Sequence, residues 1–206
     1  MPRDGTETRE RILDAAQRLI LGQSFAGASV EAIVEGAGVT KGAFFHHFSS
    51  KTDLAHALVE RYAAADAEHL ESLMERSERL SGDPLQRVLI FVGLLEESVE
   101  DLTERNPGCL FASFVYAQQL VDEETRALIR RAFSRWRDRL GGMLREAMER
   151  YSPQRPADPE DLADMLLALY EGGYILTRTM RDPRAVARQT RHFRNYLEDL
   201  FGAAAS

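Results

Sequence analysis

Thiols, lysines and long apolar runs are all scarce in this chain, and each scarcity excludes something. One cysteine, Cys109, stands among 206 residues, so no internal disulfide framework is possible and a reducing cytoplasm is the expected setting. No stretch of about 18 apolar residues occurs, so no membrane span and no membrane partner are expected. The opening residues are polar and acidic and do not read as a secretory signal. Histidine supplies no metal set. His46 and His47 are adjacent, which on a helix turns them about 100° apart, while His56, His69 and His192 stand singly. The expectation is no metal and no cofactor. Gly141-Gly142 and Gly172-Gly173 lie inside helical patterns rather than in the strand–turn–helix setting of a phosphate loop. No catalytic constellation is found, and an enzyme is not expected.

Lysine is confined to two positions, Lys41 and Lys51, against 24 arginines. The net charge of −7 argues at first sight against a nucleic-acid partner, but only the DNA-facing surface has to be positive. Residues 1–51 carry six basic and six acidic side chains, so the whole negative excess lies beyond them. Both lysines fall within that neutral segment.

What is present there is a stretch from Ser29 to Lys51 that reads as two short helices joined by a tight turn. Ser29 is an N-cap residue followed by Val30, Ile33 and Val34 on one face. Gly36, Ala37 and Gly38 end that helix with the small residues a close corner needs. Val39 is expected as a buried plug. Thr40 caps the second helix, with Phe44 and Phe48 four apart on its inner face. Its outer face carries Lys41, Gly42, Ala43, Phe45, His46 and His47. An apolar inner face and a small, cationic, hydrogen-bonding outer face give the format of a helix-turn-helix recognition helix. Lys51 opens the next helix, where an ammonium can meet a phosphate. The expected DNA-binding set is Ser29, Thr40, Lys41, Gly42, Ala43, Phe45, His46, His47 and Lys51.

The run Gly-Val-Thr-Lys-Gly-Ala-Phe-Phe-His-His-Phe-Ser-Ser-Lys (38–51) resembles the DNA-reading signature of the TetR family of bacterial one-component transcription regulators. That resemblance implies that Lys41, Gly42 and Ala43 face bases, while Phe45, His46, His47 and Lys51 contact the backbone or nearby bases. One position departs from the family, which usually has tyrosine where this chain has Phe45. Without the phenol, apolar contact with a thymine methyl or a sugar remains.

The rest of the chain reads as helix throughout. Ile12, Leu13, Ala16, Leu19 and Ile20 mark a first helix from Thr6 to about Gly22, with Phe25 in the following loop. Ser50 and Asp53 have capping-box spacing at the start of a long helix reaching about Leu80. Asp83-Pro84, Asn106-Pro107, Asp158-Pro159 and Asp182-Pro183 each place an N-cap residue before a proline. They mark helices from 84 to about 104, after 107, at 159–180 and at 183–202. Another begins at Asp122 or Glu123. The predicted fold is all-α, with a three-helix DNA-binding head over residues 1–51 and a larger ligand-binding and dimerisation body over 52–206.

Within the body, Phe91, Phe111, Phe114, Trp136, Tyr170 and Tyr174, with Gln118, are expected to line a small-molecule site. Cys109 joins that set because Asn-Pro-Gly-Cys-Leu-Phe (106–111) resembles the corresponding region of TetR-family repressors that sense electrophiles through a cysteine. The alternative is an inert, buried thiol. Leu162, Leu166, Leu169, Phe193, Leu197, Leu200 and Phe201 form apolar stripes on the last two helices, where the resemblance implies a two-fold homodimer through a four-helix bundle. The implied function is a repressor that binds a palindromic double-stranded DNA operator as a homodimer and is released by a small-molecule effector. An activator, or a DNA-binding protein with no ligand, is the alternative.

Overall fold

The computed structural model describes residues 5–102 and 108–202, and among these every regular element is helical. In order they are α1 (Gly5–Gly27), α2 (Val30–Ala37), α3 (Lys41–His47), α4 (Lys51–Leu80), α5 (Pro84–Leu102), α6 (Leu110–Val115), α7 (Glu123–Arg150), α8 (Pro159–Met180) and α9 (Ala185–Phe201), with a short 3-10 turn at Gln118–Leu120. The expected helix start at Asn106-Pro107 lies outside the described residues.

The chain forms two compact units. One takes the chain as far as Ala65 together with Cys109–Arg130; the other begins at Asp66 and resumes at Arg131. Compactness thus groups the chain differently from a cut after Lys51, because α6 packs on α1: the Phe114 ring lies 4.9 Å from that of Phe25.

In the first unit, α1 buries Ile12, Leu13, Ala16 and Ile20. Its regular path breaks at Ser24, which adopts φ 75° and ψ 161°, a region that costs any residue but glycine about 1–3 kcal/mol. The break turns Phe25 inward. Helix α2 then ends on Gly38 at φ 62°. Arg11 reaches across from α1 to donate to the carbonyls of Ala37 at 2.6 Å and Gly38 at 3.1 Å, meeting acceptors that the end of a helix leaves unpaired. On α4, Arg61 donates to Glu10 at 2.9 Å, Asp14 at 2.8 Å and Gln17 at 2.9 Å, all on α1. Val39 is half-buried rather than a full plug, since the helix corner is already closed by Ile33 and Ala37.

The second unit is built on α5, α8 and α9, whose apolar faces share one core with Leu70 and Leu73 of α4 and Leu140 and Leu144 of α7. Aspartates start three of the helices as expected. Asp83 accepts from the amides of Leu85 and Gln86, Asp122 from Thr125 in the first unit, and Asp158 from Glu160 and Asp161. At the fourth site the helix begins two residues later than predicted, because Asp182 uses its carboxylate to close a turn on the Arg184 amide at 3.0 Å. Glu96, almost wholly buried, accepts from Arg191 at 2.7 Å and so ties α5 to α9. Gly173 lets α8 and α9 come close: a Cβ there would lie 2.8 Å from the Cα of Val186.

Two stability changes of opposite sign are expected in chemical denaturation of the full chain. Gly173→Ala should lose about 1–3 kcal/mol by forcing the two helices apart. Ser24→Gly should gain up to about 1 kcal/mol, as strain is relieved at some cost in unfolded-state entropy.

Candidate nucleic-acid interface

The seven residues of α3 are held from both ends and from behind. The Thr40 hydroxyl accepts from the Ala43 amide at 3.1 Å, and the Ser29 hydroxyl does the same for Ala32 at the start of α2. Both hydroxyls are thus engaged as caps. Phe44 and Phe48 are buried with ring centroids 5.8 Å apart, which fixes the helix by its inner face. Lys41, Gly42, Phe45 and His46 are then exposed, with Ala43 and His47 half-buried between them. A Cβ on Gly42 would find nothing nearer than the Thr40 hydroxyl at 3.9 Å. The fold does not demand glycine there; the missing side chain leaves room on the outward surface.

The two lysines differ. Lys41 projects outward, with its ammonium 2.8 Å from the carboxylate of Glu31 on α2. Lys51 is half-buried, donates to the Phe25 carbonyl at 2.6 Å and lies 4.4 Å from the centre of the Phe25 ring. Burial holds its pKa below the usual lysine range. Lys51 therefore ties the start of α4 to the last turn of α1 beyond its break at Ser24, and a phosphate contact has to share its ammonium with that carbonyl. Asp53 accepts from the amide and hydroxyl of Ser49 at 2.8 and 3.1 Å, while the Ser50 hydroxyl accepts from Asp53 at 3.0 Å. This is a capping box displaced by one residue. Phe45 is 48% exposed, its ring edge-on to Phe44 at 5.2 Å.

The expected small-molecule set is divided between the two units. Cys109, Phe111, Phe114 and Gln118 fall in the first, where Phe111 meets Tyr62 edge-on at 4.8 Å, Cys109 and Phe114 are buried and Gln118 is exposed. Phe91, Trp136, Tyr170 and Tyr174 fall in the second, as two pairs with centroids at 6.2 Å and 5.4 Å. The sequence reading missed two polar side chains of α4 in this unit. Asp66 accepts from the Trp136 indole at 3.0 Å, and burial pushes its pKa up against the opposing pull of that bond and of Arg135. His69, one turn along α4, has its Nε2 buried without a hydrogen-bond partner, and burial, with Arg76, pushes its pKa down. His69 had been read only as a histidine standing singly, and the i, i+3 spacing of the two toward an apolar helix face was the available signal.

The expected dimerisation set faces the interior of its own chain. Leu162, Leu166, Phe193, Leu197, Leu200 and Phe201 are buried in the core of their own chain, with Leu169 partly buried against it. The stripe that α8 leaves open contains Ala168, Gly172, Ile175, Leu176 and Thr179.

Among the described residues no group of three or more His, Cys, Asp or Glu is placed to hold a metal, and no helix is long and apolar enough to cross a membrane. A capped recognition helix with a buried aromatic inner face and an open, small, cationic outer face defines a helix-turn-helix DNA-binding regulator. Comparison with known proteins gives the family. Residues 12–58 match the model of bacterial regulatory proteins, tetR family, and residues 84–193 match that of the tetracyclin repressor-like C-terminal domain. The chain is similar to the HTH-type transcriptional regulator AcrR of Shigella flexneri, at 30% identity over 84% of this chain and 76% of that one. It is also similar to the HTH-type transcriptional repressor NemR of Escherichia coli K12, at 23% identity over 93% and 94%. A TetR-family regulator structure from Agrobacterium tumefaciens superposes with a TM-score of 0.79 at 23% identity, covering 96% of this chain and all of that one. The chain belongs to the TetR family; it is a DNA-binding transcription regulator and not an enzyme.

Removing either capping hydroxyl, by Ser29→Ala or Thr40→Ala, should cost about 1 kcal/mol of stability. Thr40→Asn should restore most of it, as read by urea denaturation.

Proposed function

We propose that this chain is a cytoplasmic, ligand-responsive repressor that binds a palindromic operator as a homodimer and is released by a small-molecule effector. The observation that carries the reading is the outward face of α3, where Lys41, Gly42, Phe45 and His46 stand exposed on a helix fixed from behind by Phe44 and Phe48. A seven-residue helix makes few base contacts, so specific affinity requires two heads on half-sites about 34–36 Å apart. The open α8 stripe supports such a pairing. It joins Ile175 and Leu176 to the small Ala168 and Gly172, and a Cβ on Gly172 would meet nothing within 4 Å, which suits close approach of a second helix. The relative NemR is a transcriptional repressor, which favours repression over activation.

For the effector, the supporting feature is the pairing of Asp66 with Trp136 and the unpartnered nitrogen of His69 one turn further along α4. Buried polar groups with unused hydrogen-bonding capacity among aromatics are the usual furniture of a ligand site. Release requires that the effector favour one arrangement of the heads over the other, and coupling of about 1–3 kcal/mol is typical of such control.

Fluorescence anisotropy on the DNA immediately upstream of the gene, and on an operator recovered by random-sequence selection, tests the reading. Binding should exceed that to scrambled duplex, fall steeply with salt, and weaken at least fivefold on Lys41→Ala. In light scattering the wild type should be dimeric, and Ile175→Glu with Leu176→Glu should give a folded monomer that no longer holds the operator at nanomolar concentration. A monomeric wild type that retains operator preference would refute the two-headed mechanism.

A further inference from the structure

Lys41 is the one lysine that stands out from the recognition helix, and it does not stand alone. Its ammonium is 2.8 Å from the carboxylate of Glu31, and the two side chains are 62% and 70% exposed. Glu31 belongs to α2, yet this contact places it at the same outward surface as the first turn of α3. The contact also draws the Glu31 carboxyl below the usual glutamate range, the bond to Lys41 being the largest cause.

An exposed ion pair does little for stability, and the fold gives this one no packing role. The corner between α2 and α3 is closed by other means: Gly38 in the left-handed region, Arg11 on the two terminal carbonyls, and the Thr40 cap. What the pair changes is how Lys41 presents its charge. Lysine is a flexible point charge with three donors, suited by itself to any phosphate. With one donor engaged by Glu31, the ammonium is directed and keeps two donors for a base edge such as the O6 and N7 of guanine. The carboxylate also offsets the charge locally, so the pair as a whole has little attraction for phosphates at random register. A carboxylate on this face is also repelled wherever it must approach the backbone without a compensating donor. The negative side chain thus takes from general DNA affinity and adds to discrimination.

We propose that Glu31 is a specificity-determining residue of the DNA-reading face, acting as a positioning partner of Lys41. This rests on the operator-binding reading above. Glu31 lowers binding to DNA of arbitrary sequence and raises the ratio of operator to non-operator binding.

The test uses the full-length protein with Glu31→Gln, Glu31→Ala, Lys41→Ala and the double variant Glu31→Ala/Lys41→Ala. Anisotropy is measured on the selected operator and on a scrambled duplex across a salt series, with thermal melts to confirm folding. Glu31→Gln and Glu31→Ala should each tighten scrambled-duplex binding severalfold and steepen the log K against log salt slope by about one. Both should reduce the operator-to-scrambled ratio by about tenfold. In the Lys41→Ala background the Glu31 substitution should leave that ratio unchanged. Equal tightening on both duplexes would make Glu31 a bulk charge and overturn the proposal, as would an undiminished loss of ratio in the Lys41→Ala background. A wild type with no preference among duplexes would overturn the operator reading itself, a result distinct from either of these.

Discussion

Burial of Phe44 and Phe48 behind α3 is the constraint on which the DNA-reading function rests. Seven residues are too few to hold a helix in water, because nucleation fixes several residues for the first hydrogen bond and little chain remains to recover the loss. Tertiary packing has to supply the difference. Two fully buried phenylalanine side chains contribute on the order of 4–5 kcal/mol of transfer free energy, well above what the Thr40 cap adds. Burial also sets rotation about the helix axis. Once positions 44 and 48 face inward, positions 41, 42, 45 and 46 have to face out. The orientation of the reading surface is thus a consequence of where the apolar side chains go.

The surrounding polar contacts serve that same core. Lys51 and Arg11 both end on main-chain carbonyls, of Phe25 and of Ala37 and Gly38, and so use charge to close corners where the backbone would otherwise lack donors. Arg61 gathers Glu10, Asp14 and Gln17 from one face of α1, so the first turns of α4 and the middle of α1 move together. Basic residues that composition alone would assign to DNA are in this way spent on the fold. The near-neutral charge of residues 1–51 is intelligible on this basis: of its basic side chains, Lys41 is the one that the recognition helix itself turns to the outside.

Local signals carried most of what was legible from sequence. Helix starts at Asp83, Asp122 and Asp158 were readable because a capping side chain acts within three residues of its own position. The facing of α3 was readable because a four-residue spacing of phenylalanines has one interpretation on a helix. Contacts across the sequence were not readable. An apolar stripe such as Phe193, Leu197 and Leu200 shows that a face is buried, but periodicity does not say whether its own chain or a second copy covers it. Here its own chain does. The same ambiguity hid the division of the aromatic set between two units, since Phe111 and Phe91 look alike until α6 is seen on α1. Phe45 shows the complementary case: its lack of a hydroxyl was visible at once, but its exposure depends on which side of α3 the core takes.

Glycine separates the two kinds of information most clearly. Gly172 and Gly173 are neighbours in sequence, and both weaken a helix by about 1 kcal/mol relative to alanine. At Gly173 the reason is internal, since any side chain would meet the backbone of α9. At Gly172 the chain itself offers no reason, because a Cβ would enter open space. A residue with unfavourable helix propensity on an open apolar stripe is explained if something outside the chain comes close there. Gly42 on the DNA-reading helix satisfies the same description, with no internal contact nearer than 3.9 Å. Gly172 and Gly42 lie on the two surfaces proposed for partners, one for a second copy of the chain and one for DNA, although Gly22, Gly82 and Gly142 are equally open.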